Sequence, residues 1–352
     1  METMRVLITV VALTPTMLLG VPIGAARQEH RLQVRMGTAE AEAVLAILDA
    51  RARGEDVAYG AWDRLLATEG YRRLKEREAA MQRAFTDAEF RAFVLEPQLA
   101  ERAPALRRTL EAWRGADLDT AAARAFAYLP DGATILATVY PVIKPKPNSF
   151  VWDLEDDPAI FLYLNPDLSA AKFENTVAHE LHHAGFAGAC PPLDTTAPAP
   201  VARALEWATA FGEGVAVLAA AGGPAVHPHA ASPPEERAVW DRDVANVDRD
   251  LPRIEAFLLD VAEGRVTDEA ETRELGFELI VAEGVPQGPF YTVGWHVAST
   301  IERELGRDRL VATLCRPAAF LAAYNQAAAA VNRRGEGPLP LWSERLIEAL
   351  TP

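Results

Sequence analysis

A chain of 352 residues with 50 acidic and 35 basic side chains carries a formal charge of -15, and half of its residues are hydrophobic. So acidic a protein has no reason to seek nucleic-acid backbones or anionic lipid. Its length and apolar content allow one large domain or two packed subdomains.

Residues 1–26 read as an export signal. Met1 to Arg5 holds one basic side chain, Val6 to Val21 is almost wholly apolar, and Gly24-Ala25-Ala26 resembles a small-residue cleavage site. An uncleaved anchor is the alternative, although Thr14-Pro15 interrupts the run and its length is short for a span. No later stretch approaches spanning length on this reading. The mature chain is therefore expected outside the cytoplasm, periplasmic or secreted, without a membrane span. In that compartment Cys190 and Cys315 are free to pair, but their spacing is equally compatible with two buried thiols.

Residues 27–129 are expected to be a helical region. Trp62, Leu65 and Leu66 recur at helical spacing, Thr68-Glu-Gly70-Tyr71 marks a turn, and the abundant Arg and Glu read as solvated helix faces. The texture changes at Pro130-Asp-Gly132. Ala133–Tyr140, Ser149–Trp152 and Ala159–Leu164 are strand-like and form a small sheet ahead of the next helix. An edge strand beside that helix could hold an extended peptide by strand addition, or the sheet could serve packing alone.

That helix carries Thr176-Val-Ala-His179-Glu180-Leu-His182-His183, an H-E-x-x-H pattern. At 3.6 residues per turn His179 and His183 lie one above the other, close enough to share a metal. Glu180, rotated by one residue, can reach a metal-activated water as general base. Asn165-Pro-Asp167-Leu-Ser169 offers caps, and Phe173, Val177, Leu181 and Ala184 form the apolar stripe. Gly185 and Gly188 supply ends. His182 is off the ligand face, a neighbour of the ligands or a surface residue.

Val201–Ala221 reads as a second helix, apolar on all sides and so buried. A carboxylate there needs a partner, and a zinc ion is one. Glu206 and Glu213 are seven apart and both qualify as the third ligand. Glu213 is preferred, because Gly212 and Gly214 would let its helix approach the histidine helix closely. Glu206 would then support a ligand from behind. His227 and His229 sit in a Pro/Ala/Ser loop and are expected to be exposed; residues 235–262 read as amphipathic helix broken before Pro252. A further helix begins at Pro289, with Tyr291 in its first turn where a phenol can donate to an oxyanion. His296 could do the same from another face.

His179-Glu180-Leu-His182-His183, the downstream Gly-Glu213-Gly-Val-Ala and the Tyr291-Thr-Val-Gly294 helix resemble the gluzincin metallopeptidases. More narrowly the chain is similar to a bacterial family of uncharacterised zinc-dependent peptidases, which share a pattern like Trp62-x-x-Leu65-Leu-x-Thr68-Glu-x-x-Tyr71-Arg-Arg-Leu74. The resemblance implies zinc held by His179, His183 and Glu213, with Glu180 as base. It implies an α+β, mostly helical fold with a zincin-like domain over residues 130–352. The reaction it implies is metal-assisted hydrolysis of a peptide or protein substrate. Two other readings share these residues: an exported binding module whose structural zinc is closed by His227 or His229, and a zinc hydrolase of a non-peptide amide.

Overall fold

The computed structural model describes residues 31–154, 156–191, 196–281 and 287–351. The expected signal segment lies outside them. Strand β1 (Leu32–Met36) opens the fold and is followed by α1 (Ala39–Ala52), α2 (Tyr59–Ala67), α3 (Glu69–Ala80), α4 (Asp87–Val94), α5 (Pro97–Arg114) and α6 (Leu118–Phe126). Three strands come next, β2 (Ile135–Val142), β3 (Phe150–Trp152) and β4 (Ala159–Tyr163). The rest is helical: α7 (Ala170–Ala187), α8 (Ala199–Ala208), α9 (Phe211–Ala221), α10 (Pro234–Val244), α11 (Val247–Ala262), α12 (Glu269–Ile280), α13 (Pro289–Leu305), α14 (Arg307–Val311), α15 (Pro317–Arg334) and α16 (Glu344–Ala349). The fold is thus α+β and mostly helical, as expected.

One strand was not foreseen. β1 opens the region expected to be helical, and it pairs in parallel with β2 from Leu32 opposite Ile135 to Met36 opposite Val139. The sheet order is β1-β2-β4-β3, with β2 and β4 parallel and β3 antiparallel to β4. β3 is therefore an edge, and its outer side has no strand partner among the described residues.

Two large hydrophobic cores organise the described residues, beside a small third cluster of Leu74, Tyr140, Val142, Phe150, Ala159 and Phe161. The first joins the helices before the sheet to the sheet itself and to the apolar stripe of α7, where Phe173, Val177 and Leu181 are fully buried. Trp62, Leu65 and Tyr71 of the N-terminal pattern belong to it. Arg73 from the same pattern clamps the turn before β4 through Asp157, with Nη1 2.7 Å from Oδ2. The second core gathers α8, α9, α11, α13, α15 and α16. The two interlock, since Tyr128 belongs to the second and Ala220 of α9 to the first. The sheet and the histidine helix thus share a core with the N-terminal helices.

Local chemistry explains the bounds of α7. Ser169 caps it, its hydroxyl accepting from the Lys172 amide at 3.2 Å, and Gly188 ends it. Gly185, expected as an end, lies inside the helix. An added methyl there would overlap Leu129 and Ile135, so the glycine serves the crossing of α7 over the sheet. Pro252 likewise sits inside α11, and the break falls earlier, at Ala245–Asn246. The stretch Ala199–Ala221 is long and apolar enough to cross a membrane, contrary to expectation, but it is mostly buried inside the protein.

Candidate metal centre

The two cores meet at the histidines. His179 and His183 project from one face of α7, one turn apart, and their Nε2 atoms are 3.1 Å from each other. Glu213, in the first turn of α9, completes a triangle. Its Oε2 lies 3.2 Å from His179 Nε2 and 3.1 Å from His183 Nε2. Among the described residues this is the one group of His, Cys, Asp and Glu side chains placed to hold a metal ion.

The triangle fits zinc on its own dimensions. A tetrahedral ion with bonds of about 2.0–2.1 Å keeps its ligands about 3.3 Å apart, close to all three edges here. Electrostatics agree with a cation-sized demand for charge. Burial pushes the His183 ring down, but the Glu213 carboxylate beside it prevails and holds its pKa up at about 9. Burial likewise pushes Glu213 up, and the His183 and His179 rings outweigh it, keeping the carboxyl well below the usual carboxylate range. His182 turns the other way. It is buried, its Nε2 lies 3.3 Å from the Tyr128 carbonyl, and burial pushes its pKa down to about 3, so the neutral ring fastens α7 to the end of the helical region.

Around the triangle stand two further groups. Glu180 is half-buried on the next position of α7, and its charge acts on both His183 and Tyr291. The Tyr291 ring lies parallel to that of His179, 8° between planes with centroids 6.2 Å apart. Burial, followed by the Glu213 carboxylate that its hydroxyl faces, raises the phenol well above its ordinary pKa and keeps it a donor. His296 is not brought here. It lies five residues on, about 140° further round the helix, with Nε2 3.4 Å from the Tyr324 hydroxyl. Burial pushes it down to about 4.

Glu206 also stays outside. The chain turns at Thr209–Ala210, splitting the expected helix into α8 and α9, so a seven-residue spacing does not put the two acids on one face. Glu206 is exposed at the rim of the cleft. The flanking glycines also act differently from expectation. Gly214 faces α13, not α7, and Gly212 meets nothing within 4 Å.

His227 and His229 complete nothing at the metal centre. His227 Nε2 is bonded to Asp241 Oδ1 at 2.7 Å, and His229, expected to be exposed, is buried and bonded to Ser232 and Gln287. Sequence reasoning missed that burial, since an Ala/Pro/Ser loop gives no apolar period to read.

A cleft of about 1000 Å³ opens beside the triangle. Val151 of β3, Phe186, Trp207, Phe211 and Phe320 line it with His183 and Glu213. So do Cys190 and Cys315, which form a disulfide with Cα atoms 5.2 Å apart. The bridge ties the segment after α7, in the first core, to the start of α15, in the second.

Two histidines one turn apart on α7 and a glutamate from a neighbouring helix, with a second carboxylate beside them, form a donor set with the spacing a metal ion needs. The chain belongs to the family described as "Putative zinc dependent peptidase" (DUF5700), whose model matches residues 62–333. That description makes zinc the ion of the family. No curated protein and no solved structure matches the chain.

Proposed function

We propose that this protein is a peptidase of the gluzincin type, hydrolysing peptide bonds at the seam between its two cores. The observation that carries the proposal is the triangle of His179, His183 and Glu213 with Glu180 and Tyr291 beside it. His179, His183 and Glu213 would hold the zinc, and two of them, His183 and Glu213, also line the cleft. Zinc bound there supplies Lewis acidity, making water nucleophilic near neutral pH. Glu180 takes the proton of the attacking water and hands it to the leaving amine, one carboxylate serving both steps. The Tyr291 hydroxyl, kept protonated by its surroundings, donates to the carbonyl oxygen as negative charge grows on it.

The sheet supports a reading of substrate placement. β3 offers an unpaired main-chain edge and contributes Val151 to the cleft wall, so an extended peptide can add to it as a further strand. The apolar lining of the cleft beyond His183 then receives side chains on one side of the scissile bond. Export by residues 1–26 accords with the paired cysteines, since a disulfide persists outside the reducing cytoplasm.

Incubating the zinc-loaded mature chain with a diverse panel of peptides and peptidoglycan fragments tests the proposal. Cleavage that a chelator abolishes and added zinc restores is expected. A zinc-loaded protein that cleaves no member would overturn it.

A further inference from the structure

We propose that His229 is a positioning residue for Tyr291, holding the first turn of α13 against the metal centre through Gln287. The inference rests on the role given to Tyr291 above.

His229 is buried, and both of its ring nitrogens are engaged. Nε2 lies 2.8 Å from Gln287 Oε1 and Nδ1 lies 3.0 Å from Ser232 Oγ. An amide oxygen can only accept, so Nε2 carries the hydrogen and Nδ1 accepts from the serine hydroxyl. Ser232 Oγ in turn accepts from Lys172 Nζ at 2.6 Å. The chain therefore runs in one direction, Lys172 to Ser232 to His229 to Gln287, with a single neutral tautomer. Burial, with Lys172 nearby, pushes the ring's pKa down to about 4 and so supplies that neutral form.

The two ends of this chain give it meaning. Lys172 is seven residues before His179 and eleven before His183, on the same face of α7. Gln287 is four residues before Tyr291 and adjoins Gly288, whose amide donates to the Ile280 carbonyl at 2.8 Å. The polar relay thus links the ligand face of one helix to the start of the helix carrying the phenol. A second contact grips the same helix one turn on. The His229 ring packs on Trp240, centroids 5.0 Å apart, and Trp240 meets Trp295 edge-on at 5.8 Å. Trp295 follows Tyr291 by four residues. Such a support matters because a donor displaced by about 1 Å can cost on the order of a hundredfold in rate.

The test uses the zinc-loaded full chain labelled with 3-fluorotyrosine. The Tyr291 fluorine signal among the seven tyrosines is the one that Tyr291→Phe removes. His229→Ala, and Gln287→Ala in case the histidine variant fails to fold, should each shift or broaden that signal while leaving the other tyrosines and the zinc content unchanged. Peptide turnover should fall about tenfold to a hundredfold in kcat with KM little moved. In the Tyr291→Phe background His229→Ala should add less than about a twofold loss, because coupled residues are not additive. A Tyr291 signal unmoved by Gln287→Ala overturns the proposal whether or not a substrate has been found. Losses that multiply in the double variant overturn it as well. A wild type that cleaves no peptide counts against the peptidase reading instead, and the fluorine result still decides the positioning.

Discussion

Gly214 of α9 and Gly294 of α13 face each other where the two helices cross. A methyl on Gly214 would overlap the backbone nitrogen of Trp295, and one on Gly294 would lie 2.9 Å from the Phe211 carbonyl oxygen. Only two bare Cα atoms allow this approach. It places Glu213, one residue before Gly214, beside Tyr291, three residues before Gly294. Glu213 and Tyr291 are thus set side by side by backbone contact.

Gly214→Ala and Gly212→Ala should therefore have opposite signs. The first forces backbone apart in a packed crossing and should destabilise by about 1–3 kcal/mol or more. The second meets open space and should be neutral or stabilising by up to about 1 kcal/mol from helix propensity. Thermal denaturation of the two variants distinguishes them.

Purified mature protein should carry about one zinc per chain, and His179→Ala or His183→Ala should abolish it. Glu213→Gln should weaken zinc binding far more than Glu206→Gln, since only Glu213 lies within bonding reach of the histidines. Metal analysis after dialysis reads both. The reverse order would move the third ligand to Glu206.

Glu40 gives a prediction about pH. It is buried in the first turn of α1, its Oε2 accepting from the Ile143 amide at 3.0 Å while Oε1 has no hydrogen-bond partner. Burial raises its pKa to about 8, and the Ile143 bond offsets this only in part. Between about 4.5 and 8 the folded chain holds a proton that the unfolded chain has lost, so this group's contribution to stability falls as pH rises through that window. Glu40→Gln removes the titration while keeping an acceptor for Ile143. The variant should gain on wild type in denaturant midpoint from pH 5 to 8 and hold the gain above. A difference that is constant across that range would contradict the assignment.

Reduction of the Cys190–Cys315 bridge, or Cys315→Ser, should lower stability, by up to about 4–5 kcal/mol for a loop of its 125-residue separation. Unfolding with and without reductant measures it.

The part of the site that is local in sequence was legible, and the part made by packing was not. His179, Glu180 and His183 lie within one helical turn and a bit, so 3.6-residue geometry alone sets their faces. Glu213 stood out as an acid in an apolar helix. The purpose of its glycines did not, because a small residue says that something comes close without saying what; the neighbour is α13. Glu206 shared a face with Glu213 only if the helix ran unbroken through Thr209. Strand β1 escaped because its pairing with β2 spans about a hundred residues of chain, and five alternating residues give little periodicity to read. The disulfide turned on a distance that no spacing contains.

On the proposed function Glu180 is not a ligand but the base that activates water. Glu180→Gln removes the base while keeping the side chain's shape. The most direct test is to measure zinc content and peptide cleavage together on the purified Glu180→Gln protein. Zinc occupancy equal to wild type is expected, with cleavage lowered by about a hundred- to ten-thousand-fold, the span of a general base. A Glu180→Gln protein that retains zinc and cleaves as fast as wild type would contradict it.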